Sequence, residues 1–134
     1  MKKLKITYWI ATGIFSAMML FSATMYFTSP DMAQTFEHLG FPDYFRIELG
    51  IAKIIGVLLL LAPFSGRLKE WVYAGFTINM ISGSIAHGAA GDPISAVLTP
   101  LVMLGILAIS YGTLQKLDEE IESAFVSQLT GSTS

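Results

Sequence analysis

Four long apolar runs divide the chain, and polar residues gather between them. The first extends from about Ile6 to Thr28 and the fourth from about Ile94 to Leu114, both free of charged residues. The second extends from about Tyr44 to Ala62 and the third from about Trp71 to Ala89. A bilayer core about 30 Å thick needs roughly 20 helical residues at about 1.5 Å rise each. An α-helix also satisfies its own backbone hydrogen bonds inside lipid. The pattern therefore predicts an all-α integral membrane protein, a four-helix bundle over residues 1–115. The short links Phe64 to Glu70 and Ala90 to Pro93 predict antiparallel neighbours. The longer stretch from Ser29 to Asp43 opens on Ser29-Pro30-Asp31 and closes on Gly40-Phe41-Pro42, with Met32, Phe36 and Leu39 at helical spacing between them. It reads as a short amphipathic helix on the membrane surface between spans one and two.

Charge orients these spans. Lys2, Lys3 and Lys5 precede the first, Arg67 and Lys69 lie between the second and third, and Lys116 follows the fourth. The opposite loops hold Asp31, Glu37, Asp43 and Asp92 without lysine or arginine. Basic residues mark the cytoplasmic side, so both termini are expected in the cytoplasm. The tail 116–134, acidic and then rich in Ser and Thr, should continue the last helix and then fray into disorder. A cleaved signal peptide over Met1 to Ala23 is the rival reading of the N-terminus. The apolar run continues to Phe27, too long for the core of such a peptide, and Phe21 fits poorly ahead of a cleavage point.

Composition agrees with lipid as the solvent. Of 134 residues, 53% are hydrophobic and 13% charged, against about 25% charged in soluble domains, and the mean hydropathy is +0.61. A net charge of −2 offers no basic surface for nucleic acid. Without cysteine there is no disulfide and no thiolate metal site, and only two histidines, His38 and His87, remain as nitrogen ligands. No metal site is expected. No phosphate loop, nucleophile elbow or complete catalytic constellation is present.

The polar residues inside the spans are the candidate chemistry. A charge at the bilayer centre costs about 2.5–3.5 kcal/mol on insertion scales, so such residues normally face the protein interior. Arg46 lies near the end of span two and can extend to the headgroups. Lys53 lies nine residues from either end of that span, about 13 Å of helix rise, and must face the bundle interior, be neutralised or find partners. Either a structural polar pair or a ligand- or proton-handling role suits it. At about 100° per residue, Arg46, Gly50, Lys53 and Val57 share a face, while Glu48 points roughly 160° from Arg46. Span three offers Asn79 at the depth of Lys53, on a face with Gly75, Ser82 and Ala86 that permits close helix approach. An Asn79–Lys53 contact is one expectation. A second is a cluster of Glu48 with His87, joined by Tyr26 from the end of span one. Scattered methionines read as packing. The aromatic residues near the span ends read as interfacial anchors. Pro100 should kink the last helix.

Several short motifs, in order, resemble the DoxX-like family of small membrane proteins. They are Leu39-Gly40-Phe41-Pro42, Leu49-Gly50 followed by Lys53 and Gly56, Leu68-Lys69-Glu70-Trp71 and Tyr73-Ala74-Gly75-Phe76. His87 and Asp92 fall where the family pattern has a His and an Asp. The chain departs from it at Ser22-Ala23, where the pattern has Ser-Gly. The resemblance covers about Tyr8 to Tyr111. It implies a four-helix membrane bundle in the cell or inner membrane of a bacterium, and a link to membrane systems in which quinones take part. It does not decide the chemistry. Three functions stay open. A cavity among the helices could bind a small amphipathic molecule, a quinone or lipid, through Lys53, Asn79, Glu48, His87 and Tyr26. Any redox role would then need a partner or bound cofactor. The chain could instead be an accessory or assembly subunit of another membrane protein, or a small transporter acting as a homodimer.

Overall fold

The computed structural model describes residues 2–62 and 66–131; residue 1, residues 63–65, part of the link after the second span, and 132–134, the end of the tail, lie outside the described residues. Five α-helices follow one another: α1 (Lys2–Thr28), α2 (Pro30–His38), α3 (Asp43–Leu61), α4 (Arg67–Ala89) and α5 (Ile94–Thr130).

Several helices outrun the apolar windows. α1 starts at Lys2 and α4 at Arg67, because lysine, arginine and leucine favour helix as readily as the apolar residues that follow. α5 stays helical through its acidic segment to Thr130, so the expected fraying does not set in before Gly131, whose left-handed backbone caps the helix. The reason is local: the Leu, Gln, Lys and Glu residues of this stretch are good helix formers. α5 also passes through Pro100, which has no N–H for Ala96; the neighbouring Val97 carbonyl accepts from Ser84 Oγ of α4 at 2.8 Å.

α1 and α5 are the two described helices long and apolar enough by themselves to cross a membrane. α3 carries Arg46, Glu48 and Lys53 within its length. Its outer face nevertheless exposes Ile51, Ile55 and Leu58, and that of α4 exposes Ile78, Ile81 and Ile85. Apolar faces of that extent are unusual against water and ordinary against lipid.

α2 begins where Ser29 Oγ accepts the Met32 N–H and Pro30 takes the first turn, and it stops at Gly40, whose φ of 88° admits no β-carbon cheaply. Its buried residue is Phe36. α2 lies against α1 and α3, and α1 packs along both α3 and α5. α4 packs closely along α5 and much more sparsely along α3.

The core sits towards one end of the molecule. Phe15 and Met19 of α1, Val57 and Leu60 of α3, Phe76 and Met80 of α4, and Met103 and Leu107 of α5 form one buried cluster. Phe15 meets Phe76 edge-on at 5.0 Å. Gly56 lets α3 approach that ring, since a β-carbon there would lie 2.7 Å from it. Polar ties close this end. Ser110 of α5 bonds Thr12 of α1 at 2.5 Å and Tyr73 of α4 at 2.6 Å. Lys69 is buried, and its Nζ donates to the carbonyls of Leu60 at 2.6 Å and Ala62 at 2.9 Å. It thereby satisfies acceptors that the last turn of α3 would otherwise leave without N–H partners. Glu70 accepts from Tyr111 and Gln115, each at 2.9 Å, and ties the start of α4 to α5.

Candidate functional site

Beyond the core the helices draw apart. The end of α1, the start of α3, the second half of α4 and the start of α5 surround a cavity of about 990 Å³, which α2 covers. Its walls are mainly apolar, with Met18, Met25, Phe36, Leu49, Phe76 and Met103 among them. The volume lies at the upper end of the usual range for small-molecule sites, about 300–1,000 Å³.

Lys53 is the charged-type side chain of this lining. The inward face of α3 reads Gly50, Lys53, Val57 and Leu60, so the helical period that buries the core residues also turns Lys53 inward. It is 4% exposed. Its Nζ donates to Tyr26 Oη at 2.7 Å and to Ser22 Oγ at 3.0 Å. Ser22 and Tyr26 stand one turn apart on α1, so a single helix face supplies both acceptors. Tyr26 is held edge-on against Phe36 of α2 at 4.8 Å, and its backbone carbonyl accepts from the Arg46 guanidinium. Phe41 stacks on Phe45 at 4.7 Å and extends this aromatic cover. Asn79 lines the same cavity as Lys53, half-buried, with no hydrogen-bond partner among the described residues.

A second polar group lies at the covered end. Asp92, in the turn between α4 and α5, accepts from His87 Nδ1 at 2.7 Å and from His38 Nε2 at 2.8 Å. One carboxylate thus ties the end of α2 to the end of α4. The hydrogen bond from His87, and then that from His38, holds the Asp92 carboxyl below the ordinary carboxylate range, because both favour the ionised form. His87 also lines the cavity.

The expected pairing of Glu48 with His87 does not form. Glu48 is exposed and does not line the cavity. It stands two residues before Gly50, on the side of α3 turned away from the buried face. His87 instead finds Asp92 five residues along, across the turn at Gly88 to Gly91. Tyr26 joins Lys53 rather than Glu48. Three participants were not among the expected site residues: Ser22, His38 and Asp92. Ser22 was within reach of sequence reasoning, because it stands four residues before Tyr26, and His87 and Asp92 are close along the chain. The meeting of His38 with Asp92, 54 residues apart, has no local signal. Among the described residues no group of three His, Cys, Asp or Glu side chains could hold a metal ion.

The profile of the DoxX-like family matches residues 10–110. The chain belongs to the DoxX-like family. This makes it a membrane protein, in keeping with the two apolar helices α1 and α5. The matched region takes in α2, α3 and α4 whole, most of α1 and the first part of α5, and with them the cavity and both polar groups. No curated protein and no solved structure matches the chain.

Proposed function

We propose that this DoxX-like membrane protein binds a small amphipathic molecule, a quinone or a lipid, in the cavity beneath α2. The observation that carries the reading is Lys53, a buried basic side chain at the wall of a mainly apolar cavity, held by Ser22 and Tyr26. Asn79 and His87 are the other side chains that would meet the ligand's polar atoms. With a quinone, electrons would enter or leave through a partner or a bound cofactor. The protein crosses a bacterial cell or inner membrane with α1, α3, α4 and α5 as an antiparallel four-helix bundle, and both termini lie in the cytoplasm. The outward isoleucines of α3 and α4 and the basic residues at one set of helix ends support that arrangement.

Native mass spectrometry of the protein extracted gently from its own membrane tests the binding reading. A small molecule at fixed stoichiometry is expected, and it should be absent from a folded Lys53→Ala variant. A protein that carries no small molecule would end this reading.

One observation favours a second reading, an accessory subunit of another membrane protein. The last turns of α5 expose Ile121, Phe125, Val126 and Leu129. Isolated lysine or histidine changes would then be tolerated, while truncation of α5 after Leu117 would release a co-extracted protein.

A further inference from the structure

We propose that the ligand is a single-chain amphiphile with a carboxylate head, a long-chain fatty acid, whose head lies against Lys53; this rests on the cavity being a ligand site. A protonated lysine has three N–H donors and no acceptor. At Lys53 two of them go to Tyr26 and Ser22, and both partners are neutral hydroxyls. No ion pair compensates Lys53 among the described residues; the pairs there join His38 and His87 to Asp92. The cavity lining includes Lys53 and no aspartate or glutamate. Glu48 is turned outward, and both oxygens of Asp92 are taken by histidines.

Arg46 is a second basic residue tied to Tyr26, although it does not line the cavity. Its guanidinium reaches the Tyr26 carbonyl, and its Nε is buried without an acceptor. A buried cation whose neighbours are two hydroxyls and the face of the Tyr26 ring, 4.2 Å from Nζ, keeps much of its desolvation penalty. A carboxylate would offset that penalty with charge-assisted hydrogen bonds to the remaining Lys53 donor and to the hydroxyls of Ser22 and Tyr26. A neutral carbonyl oxygen accepts a hydrogen bond but leaves the charge uncompensated.

The remaining lining suits one flexible chain. Met18, Met25, Met80 and Met103 offer adaptable apolar contact. Ile55 of α3 and Ile78 of α4 line the cavity while more than half exposed, so it opens sideways where these two helices touch least. A tail can leave through that gap into surrounding lipid with its head at Lys53.

Hexadecanoic acid and hexadecan-1-ol have the same chain and differ only in the head. Both, together with a decyl-substituted benzoquinone, compete at equal concentration for the full-length protein in a neutral detergent. The buffer is mildly alkaline, and retention is read by native mass spectrometry. The acid should be retained about tenfold over the alcohol, the scale of one hydrogen bond to a charged group. That preference should vanish in Lys53→Met, with its fold checked by circular dichroism. The ratio on the unaltered protein decides the matter even if the variant does not fold. Equal retention of acid and alcohol, or preference for the quinone, overturns the carboxylate head and leaves the ligand site standing. Retention of none of the three overturns both.

Discussion

Two lysines in this chain are buried, and their surroundings separate them. Lys69 donates to the carbonyls that end α3, a purely structural cap. Lys53 donates to two hydroxyls at a cavity wall. The unusual position of Lys53 was legible from the sequence, because a basic residue at mid-depth of an apolar run has nowhere to go but inward. Lys69 was not, because it lies among the basic residues of a helix start, where an exposed, membrane-orienting role is the ordinary reading. Its burial depends on where α3 ends in space. Lys69→Met should therefore lower stability by roughly 1–3 kcal/mol, the scale of buried acceptors left without donors. It should do so without changing ligand retention. Thermal unfolding in detergent beside native mass spectrometry separates the two effects, and a variant as stable as the parent would remove the cap from the account.

At the scale of elements, α2 is the cover of the cavity and Asp92 is its fastening. Start and stop signals around Ser29 and Gly40 define this helix locally. Where it docks depends on Phe36 reaching Tyr26 and on His38 reaching Asp92. Asp92 has its folded-state pKa lowered by the two histidine hydrogen bonds. Its contribution to stability is therefore present above the ordinary carboxylate range and lost as pH falls through the lowered value. Asp92→Asn should melt below the parent at neutral pH, and the difference should shrink as pH falls through the ordinary carboxylate range and close once the solution is more acidic than the lowered value. A difference that persisted in strong acid would show that the carboxylate charge is not what fastens α2. α5 shows the complementary case: helix propensity alone carries it past the apolar window to Thr130, with Ile121, Phe125, Val126 and Leu129 left exposed.

At the scale of the whole molecule, the proposed topology places the start of α1 and the end of α5 on one side and α2 on the other. The chain has no cysteine, so single reporters can be introduced without background. Lys3→Cys and Ser127→Cys should react with a membrane-impermeant maleimide only from the cytoplasmic side, and Gln34→Cys only from the opposite side. Labelling of Gln34→Cys from the same side as the termini would refute the four-span arrangement.

The sequence by itself determined the solvent, the helices and the depth of the chemistry. Apolar runs long enough for lipid can only be helices there, and charge placed among them is too costly to be incidental. It also carried the family, through short motifs whose order matters more than any one of them. Tertiary structure decided the partners. Lys53 could have met Asn79 across the bundle, yet it bonds α1, because Ser22 and Tyr26 share one face of that helix and stand opposite the buried face of α3. Glu48 could have met His87, yet helical rotation turns it outward and Asp92 takes its place. The cavity itself has no signature along the chain. It exists because the core closes the helices at one end, while α2 and the Asp92 fastening hold the other end covered and apart. Distances between helices depend on residues far apart in sequence, and no local pattern encodes them.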